Sequence, residues 1–434
     1  MVIVENKKEF LEFAETFSNF DSVVIPIECD FNKHPKDTKL CMLYTRILSD
    51  KKKEYILPFR HSDTLNLDTQ RIDDLWTPKN VYTYDKKKLL HFFNWKNTHD
   101  VQMNYYLEKN EPLVIEDILT NAHEYFYRKY YGNSNINCVI PIMKHLEWCR
   151  NVVEILKKAG VIGKKETESV YNIYNEDVLE SLQQIESNGL QTTDGMVYSE
   201  YNPYTATGRP SNRFGGLNFA ALNKKDGSRK KFISRYGKEG MLVEMDYDAY
   251  HLRLIGDVVD YKFPKGSVHK HMAKFYGVDY EEAKSLSFQY LYGNIPYEVS
   301  QINPFFCKVE DYVNSVWESY KSKNFIESDI YNKRIYRKNL SDMNKNKVFN
   351  YLIQLMETES NMRILTELLP KIEGYKSKLV LYSYDSFLFD FYLPDGLDFL
   401  KKVKDIIEQS GKFPVKVGKG WNYHEMEDIT EKFE

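Results

Sequence analysis

The sequence predicts an α+β protein, and three observations lead to this prediction. β-rich runs lie between residues 22 and 60, in SVVIPIE, CMLYTRIL and KEYILPF, and polar breaks separate them. Helical patterns dominate from about residue 86 to 190 and again from about 250 to 370. Further strands flank the later helices, in MLVEMD before them and in KLVLYSYDSFLFDFY and KFPVKVG after them.

A domain boundary is expected near residue 170. The chain has 434 residues, enough for two or three domains of ordinary size. The helical pattern HLEWCRNVVEILKKAG ends on a glycine stop signal and leads into the polar stretch GKKETES. A further helix, EDVLESLQQIESNG, and an irregular segment at 201–228 follow. We therefore expect one domain at 1–170 and another at 171–434.

The composition excludes several classes of protein. Positive and negative side chains nearly cancel, leaving a formal net charge of −3, so any nucleic-acid footprint must be local. Five cysteines without a CxxC pair disfavour a disulfide framework and a zinc ribbon, and they fit a reducing compartment such as the cytoplasm. We expect no signal peptide, because the N-terminal MVIVENKKEF has no apolar h-region. We expect no membrane association, because no apolar run reaches roughly 18 residues.

Two segments are locally basic. Residues 204–238 carry nine basic side chains and a single acid, Asp226, and residues 321–347 carry eight basic side chains and three acids. Such a run of charges is ordinarily a solvated face. The first run, however, is rich in Gly and Asn and lies just before the segment MLVEMDYDAY, the strongest motif of the sequence. We therefore expect it to contact phosphates. Its basic residues are Arg209, Arg213, Lys224, Lys225, Arg229, Lys230, Lys231, Arg235 and Lys238.

Asp246 and Asp385 are candidate metal ligands. Asp246 ends the apolar strand MLVEMD, and Asp385 lies in the turn between two apolar strands. Two such carboxylates can meet across a sheet and hold two Mg²⁺ ions, which clamp the attacking and leaving oxygens of a phosphoryl transfer. Taken singly, an aspartate in a turn is more often a turn former.

A second candidate constellation lies in VDYEEAKSLSFQYLYGN. Lys284, Phe288 and Tyr292 recur every four residues, so one face of a helix carries an ammonium group and two aromatic rings. That face suits a nucleoside triphosphate, with the lysine on the phosphates and the rings against the base. The alternative is an amphipathic core helix with one lysine that extends to solvent.

Eight short elements between residues 171 and 425, in this order, resemble the family A DNA polymerases, typified by bacterial DNA polymerase I. The elements are TATGRPS (205–211), SRKKFIS (228–234), MDYDAYHLR (245–253), VHKHMAKFYG (268–277), KSLSFQYLYG (284–293), NYLIQ (350–354), YDS (384–386) and VGKGWN (417–422). The resemblance implies a right-hand polymerase after an N-terminal α/β exonuclease-like (ribonuclease H-like) domain. Its palm would comprise 171–250 and 340–434, and its fingers 251–339.

The resemblance also implies roles for individual residues. Asp246 and Asp385 would bind two Mg²⁺ ions, with the backbone carbonyl of Tyr247 as a further ligand. The dNTP would be bound by Arg229, His251, His269, Lys284, Phe288 and Tyr292. The minor-groove side of the primer–template DNA would be contacted by Arg209, Asn350 and Gln354. Minor-groove acceptors are nearly degenerate, so such contacts check the geometry of a base pair without its sequence.

The sequence departs from the family pattern in two of its motifs. Motif B normally opens with an arginine where this chain has Tyr280, so one phosphate-binding charge is missing. Either Lys284 must neutralise more of the phosphate charge, or a neighbour such as Lys274 must compensate. Motif C, usually HDE, here reads YDS (384–386). The third carboxylate is dispensable in principle, because two aspartates can bridge two ions.

Motif A carries His251 where the family has a glutamate, and Asp248 where it has a serine. His251 still presents bulk where a ribose 2′-hydroxyl would lie. The related single-subunit RNA polymerases instead have a small residue there and a Met-type motif B. His251 and Phe288 therefore favour dNTPs over NTPs.

The N-terminal region has the length and strand order of a 3′–5′ exonuclease domain but lacks its chemistry. That domain needs DxE, a second aspartate and YxxxD to hold two metals. This chain has Glu28-Cys29-Asp30 in the wrong order, and His145-x-x-x-Cys149 where YxxxD would fall. Glu28, Asp30 and Asp100 are interpreted as remnants, and no exonuclease activity is expected.

The thumb of the family is expected to be largely absent. Only 15 residues, 190–204, separate the IESNG turn from TATGR, too few for a helical thumb. We therefore expect a compact phage-type DNA-directed DNA polymerase, acting in the host cytoplasm with a processivity or replisome protein as partner. The alternatives are a catalytically weakened homologue that serves as a nucleic-acid-binding replication subunit, and an RNA polymerase or primase-like enzyme.

Overall fold

The structure is a computed structural model, and it describes residues 1–30, 33–50, 53–68, 78–115, 140–160, 162, 176–213, 222–223, 226–330 and 332–433. The chain divides into two compact units. The first comprises Met1–Thr167 and Asn175–Ser187, and the second comprises Glu168–Tyr174 and Asn188–Glu434. The boundary predicted at 170/171 lies outside the described residues.

A mixed six-stranded sheet forms the centre of the first unit. Its strands are β1 (Val2–Ile3), β2 (Ser22–Glu28), β3 (Leu40–Ile47), β4 (Glu54–Pro58), β5 (Val81–Thr83) and β6 (Thr98–Asp100). Their order is β1-β4-β3-β2-β5-β6. Strands β2, β3 and β4 are antiparallel, whereas β5 runs parallel to β2 and β6. The strands predicted between residues 22 and 60 are thus confirmed.

Both faces of this sheet are covered, which explains its apolar strands. The described helices of the unit are α1 (Lys7–Asn19), α2 (Lys86–Leu90), α3 (Val101–Lys109), α4 (Ile142–Lys158) and α5 (Glu176–Asn188). Along β2, Val23 and Ile25 belong to a core cluster that includes the buried residues of α4, whereas Val24 belongs to the cluster formed with α1. A strand buried on both faces reads as a nearly continuous apolar run, as SVVIPIE does.

Helix α5 belongs to the first unit through Ser187, although the sequence assigns it to the C-terminal domain. The buried Glu186 carboxylate lies 2.5 Å from Lys87 Nζ and 3.0 Å from His91 Nε2. Burial would raise the pKa of Glu186, but Lys87 and His91 outweigh it and lower the pKa to about 2. A buried carboxylate requires such partners, and these partners lie in the N-terminal segment.

The second unit alternates short strands with helices. Its described elements are β7 (Leu190–Thr192), β8 (Gly195–Val197), β9 (Glu200–Asn202), β10 (Ser211–Arg213), β11 (Gly240–Tyr247), α6 (Tyr250–Val258), α7 (Val268–Tyr276), α8 (Tyr280–Tyr292), α9 (Tyr297–Ile302), α10 (Pro304–Lys323), β12 (Phe325–Glu327), β13 (Arg334–Tyr336), α11 (Lys345–Ile372), β14 (Lys378–Ser383), β15 (Ser386–Tyr392), α12 (Gly396–Ile407), β16 (Val415–Gly420) and β17 (Glu427–Asp428). Within the described residues, none of the helices combines the length and the apolar character that a membrane span requires.

A five-stranded antiparallel sheet, ordered β14-β15-β11-β16-β17, forms the centre of the second unit. The strands predicted in MLVEMD, KLVLYSYDSFLFDFY and KFPVKVG are confirmed as β11, β14, β15 and β16. Helix α12 packs its Phe399 ring against Phe389 and Phe391 of β15. Helix α11 is buried along most of its length and includes the buried polar residues Glu357 and Asn361.

The helical block predicted from about 250 to 370 is present, but a short hairpin interrupts it between α10 and α11. Helix α10 ends at Lys323 and is capped by Asn324, whose left-handed backbone (φ 61°) is a conformation that asparagine tolerates. The hairpin β12–β13 follows, with Ile326 and Ile335 paired across it and both buried. Strands of three residues are too short to show a recognisable period of two.

Residues 190–204 are all described, and they form strands instead of a helix. Strands β7 and β8 make a hairpin in which Leu190 pairs with Val197. Strand β9 pairs with β10. The interval in which the sequence predicts a reduced thumb therefore contains short sheet structure.

Candidate active site

Asp246 and Asp385 lie close together at one end of the second sheet. Asp246 on β11 is directly opposite Ser386 on β15. Asp385 precedes Ser386, and its backbone carbonyl accepts a hydrogen bond from the Tyr247 N–H at 3.1 Å. Both aspartates line a cavity of about 400 Å³. The structure thus brings together the two carboxylates that the sequence singles out.

The turn that presents Asp385 has a strained backbone. Tyr384 has a φ of 60°, a left-handed conformation that is unfavourable for a bulky residue and often marks a functional turn. Its carbonyl accepts a hydrogen bond from Asn361 Nδ2 at 2.7 Å. Its ring lies 3.7 Å from the Arg209 guanidinium carbon. These two contacts stabilise the turn and direct Asp385 towards the cavity.

The surroundings of Asp385 favour a cation. Burial raises the pKa of Asp385, and the nearby Glu357 carboxylate raises it further. His251 and Arg209 lower this pKa, but the net direction is upward. Positive charge brought by a bound cation would favour the ionised form of this carboxylate.

Glu357 connects several predicted site residues, although the sequence alone does not single it out. Its buried carboxylate lies 3.2 Å from Arg209 Nε and 3.2 Å from His251 Nε2. His251 Nδ1 contacts the Tyr292 hydroxyl. Asn350 Nδ2 donates to the Tyr292 backbone carbonyl at 3.2 Å. This network restrains the orientation of the His251 ring.

A signal for Glu357 does exist in the sequence. The residue follows Asn350 by seven positions and Gln354 by three, so all three lie on one face of α11. Burial would raise the pKa of Glu357, but His251 and Arg209 outweigh it and lower the pKa. The carboxylate is therefore ionised inside the protein. Gln354 itself is half-buried on the same helix.

One face of α8 forms part of the cavity wall. Tyr280, Lys284 and Phe288 line the cavity, and the Phe288 and Tyr292 rings are stacked with centroids 5.8 Å apart. Lys284 is exposed, whereas both of these rings are half-buried. The buried residues of α8 are instead Ala283, Ser287 and Leu291. The face with Lys284 is thus less buried than the neighbouring face of the same helix.

His269 lines the cavity but does not contribute a positive charge. Its ring packs 5.7 Å from Phe288 and 5.8 Å from Tyr280. Burial lowers the pKa of His269 to about 4, against the opposing effect of Asp248. At neutral pH the imidazole is therefore uncharged. It can act as a hydrogen-bonding group but not as a cation.

Arg229 is absent from the described residues that line the cavity. Its guanidinium donates to the Leu222 backbone carbonyl through Nε at 3.2 Å and Nη2 at 2.9 Å. It also lies 4.5 Å from the centre of the Tyr423 ring. Arg235, in the same basic segment, is paired with the buried Asp390 at 2.7 Å. These arginines thus have structural partners within the unit.

Three charged residues that the sequence analysis does not predict also line the cavity: Glu244, Lys416 and Asp428. Glu244 precedes Asp246 by two positions on β11, so both project from the same face of the strand. Its Oε1 accepts hydrogen bonds from Ser386 Oγ at 2.9 Å and from the Tyr423 hydroxyl at 2.7 Å. The period of two along β11 is the signal that could have identified Glu244.

Another group of possible metal ligands occurs in the first unit. Donor atoms of His34, His91 and Glu186 lie within 4.8 Å of one another. The Lys87 ammonium already lies 2.5 Å from Glu186. A second cation at this carboxylate would be repelled by the first, so the group is better explained as a buried ion-pair network.

Comparisons with known proteins support the fold. No protein-family model matches the chain, and no curated protein matches it. Among solved structures, the chain is similar to the POL domain of Pol1 from M. smegmatis in complex with DNA primer-template and dNTP. The likeness has a TM-score of 0.67 at 13% sequence identity and covers 98% of this chain and 99% of that chain. The chain therefore has the fold of a DNA polymerase domain.

Proposed function

We propose that this chain is a DNA-directed DNA polymerase that extends a primer 3′-hydroxyl with dNTPs. The observation that carries the proposal is that Asp246 and Asp385 line one cavity together with Lys284 and Phe288. Carboxylates, an ammonium group and an aromatic ring suit the metal ions, phosphates and base of a nucleoside triphosphate. The polymerase fold, and the primer-template and dNTP bound to the similar structure, support this assignment.

Asp246 and Asp385 would hold two Mg²⁺ ions, with the Tyr247 carbonyl as a further ligand. These are hard oxygen donors, which Mg²⁺ prefers, and the raised pKa of Asp385 is consistent with a cation site. When bound, the ions stabilise charge on the attacking and leaving oxygens of phosphoryl transfer. Glu244 adds a third carboxylate beside Ser386, where motif C normally has its acid.

The remaining cavity residues would orient the nucleotide. Lys284 would bind the phosphates, and the Phe288 ring would pack against the nucleoside. His269 would offer a hydrogen bond, since its buried Nδ1 has no hydrogen-bond partner within the described residues. Arg229 would have to leave the Leu222 carbonyl to reach the phosphates. Positioning and charge neutralisation are most of what this reaction requires from a protein.

His251 would exclude the ribose 2′-hydroxyl. The Glu357 carboxylate and the Tyr292 hydroxyl contact its two ring nitrogens. A ring held on both sides cannot turn away to admit a larger sugar. This rigidity supports selection of dNTPs over NTPs, and it disfavours an RNA polymerase or primase-like function.

The primer–template would be read by Arg209, Asn350 and Gln354 from the minor-groove side. With only the strands β7–β9 between Gly189 and Thr205, the chain would grip duplex DNA weakly. We therefore propose distributive synthesis and a processivity protein as partner, as in a compact phage-type enzyme. Primer extension in the presence of a heparin trap tests this point. Products hundreds of nucleotides long from the chain alone would contradict it.

The first unit would be a degenerate exonuclease domain without nuclease activity. Its buried Glu28 lies 3.0 Å from the Lys88 ammonium. Asp30 lies 3.7 Å from Lys33 Nζ. Lysines thus occupy positions where metal ions would otherwise balance the carboxylates. His145 and Cys149, at the place of YxxxD, are both buried on α4.

The second candidate function is a weakened polymerase homologue that binds nucleic acid as a replication subunit. The replacements at Tyr280, Tyr384 and Ser386 favour it. One experiment separates the candidates: extension of a labelled primer–template with Mg²⁺ and either dNTPs or NTPs. We expect extension with dNTPs. Binding without extension would support the weakened homologue, and preferential extension with NTPs would support an RNA polymerase.

A further inference from the structure

We infer that Lys416 is a second phosphate-binding cation of the nucleotide site, and that Asp248 and Tyr280 position it. The inference rests on the proposed polymerase function and adds a residue to it. Lys416 lies on β16 directly opposite Asp246 of β11, and it lines the same cavity as Lys284. Residues directly opposite each other in an antiparallel pair project from the same face of the sheet. The side chains of Lys416 and Asp246 therefore lie on the same wall of the cavity.

The ammonium group of Lys416 has two neighbours. It lies 3.1 Å from Asp248 Oδ1 and donates to the Tyr280 hydroxyl at 3.2 Å. The side chain is 46% exposed, so it can reorient without breaking the core. An ion pair exposed to this extent is weak, and a triphosphate with several negative oxygens would compete with it effectively.

Asp248 remains neutralised when Lys416 turns towards a phosphate. Its other oxygen, Oδ2, lies 3.0 Å from Arg253 Nη2. The same oxygen also accepts from the Val268 N–H at 3.4 Å. The buried carboxylate therefore keeps a cationic partner and a backbone donor after Lys416 leaves. Asp248 can thus hold the ammonium near the cavity without trapping it there.

Tyr280 explains why this chain needs a cation from β16. It lies one helical turn before Lys284, at the position where the resemblance predicts an arginine. Its own hydroxyl contacts the Lys416 ammonium. The positive charge that α8 lacks at position 280 is therefore supplied at the same place by Lys416 of β16. Lys274 is the neighbour that the sequence suggests for this role, but the described residues that line the cavity include Lys416 beside Lys284, and not Lys274.

The test compares Lys416→Met, Lys416→Gln and Lys416→Arg in primer extension by the full chain. We expect the two neutral variants to raise the KM for dNTP about tenfold, which is typical of one lost charge-assisted contact. They should weaken inhibition by inorganic pyrophosphate to a similar extent. The kcat, the Kd for primer–template and the Tm should change little. Lys416→Arg should restore the KM, because it keeps the charge.

Lys419→Met is the matched control. Lys419 lies three positions along β16, on the opposite face, and pairs with Glu427 at 3.4 Å. It should behave as the wild type does. An unchanged KM and an unchanged pyrophosphate inhibition in both neutral variants would overturn the inference while the polymerase function stands. A lower Tm and weaker primer–template binding, without any change in pyrophosphate inhibition, would show that Lys416 has only a structural role. That result would also overturn the inference. A wild-type chain that extends no primer would overturn both.

Discussion

Both units have carboxylates at strand ends, but the partners of these carboxylates differ. In the first unit, Glu28 at the end of β2 pairs with Lys88 at 3.0 Å. Asp100 at the end of β6 accepts two backbone N–H groups at 2.7 and 2.6 Å. In the second unit, Asp246 and Asp385 line a cavity that is large enough for a ligand.

The difference teaches that an acidic residue at a strand end does not by itself indicate a metal site. The deciding factor is whether the protein itself supplies the positive charge and hydrogen-bond donors around the carboxylate, or whether a ligand must supply them. Lys88 neutralises Glu28, whereas burial raises the pKa of Asp100 to about 7 despite its two backbone donors, so Asp100 is balanced by a proton. Burial and Glu357 also raise the pKa of Asp385, but this carboxylate, unlike that of Asp100, lines a cavity that is large enough to admit a cation.

The largest effect is expected from Asp385→Asn. We expect extension to fall by about 10³-fold or more, because a lost metal-bridging charge removes several kcal/mol of transition-state stabilisation. Primer–template binding should be nearly unchanged. Single-turnover extension and equilibrium DNA binding measure the two effects. Asp100→Asn, the matched change in the first unit, should extend primers normally. Wild-type-like extension by Asp385→Asn would remove the metal assignment.

The second comparison uses two buried glutamates. Glu357→Ala leaves Arg209 and His251 without their shared carboxylate, at a cost of about 3–5 kcal/mol. We expect lower stability in urea unfolding and also a higher rNTP/dNTP ratio of kcat/KM. Glu186→Ala should lower stability to a similar degree without changing that ratio. Equal effects of the two variants on the ratio would show that Glu357 has no special link to sugar selection.

His251→Ala should raise the rNTP/dNTP ratio of kcat/KM by about 10- to 100-fold, because the ring would no longer occupy the space of a 2′-hydroxyl. Steady-state kinetics with matched nucleotides measure this ratio. Phe288→Tyr tests a separate property: its added hydroxyl should improve the use of dideoxynucleotides. An unaltered ratio in His251→Ala would mean that another residue excludes the ribose.

We expect the stability of the first unit to depend on pH because of the buried Asp100. Burial raises its pKa from 3.8 to about 7. Between these values the folded protein holds a proton that the unfolded chain releases, so stability falls as the pH rises through this window. Wild-type Tm should therefore drop between pH 5 and pH 8 by more than the Tm of Asp100→Asn. Parallel curves for the two proteins would contradict a raised pKa.

The smallest effect is expected from Glu28→Gln. If Lys88 neutralises this carboxylate for structural reasons only, the wild type and the variant should both leave single-stranded DNA intact in the presence of Mg²⁺. A labelled 3′-end assay measures the degradation. Nuclease activity that survives Asp246→Asn but disappears in Glu28→Gln would identify a working exonuclease site, and the contrast between the two units would fail.

Several features of the molecule follow from the sequence alone. The apolar runs of β2–β4 and of β11, β14 and β15 identify those strands, because a buried strand needs apolar residues regardless of what covers it. The spacing of Tyr280, Lys284, Phe288 and Tyr292 identifies one helical face. Asp246 and Asp385 could be selected because each ends a strand or occupies a turn. All of these are local properties that a few neighbouring residues determine.

Only the tertiary structure decided which groups meet. Glu357 is separated by 148 residues from its partner Arg209. Lys416 meets Tyr280 at a separation of 136 residues. Glu186 joins α5 to the first unit by pairing with Lys87, 99 residues earlier. Periodicity shows that a side chain lies on a certain face, but not what lies opposite. The choice of partners depends on strand register and helix packing, which are set by contacts between distant parts of the chain.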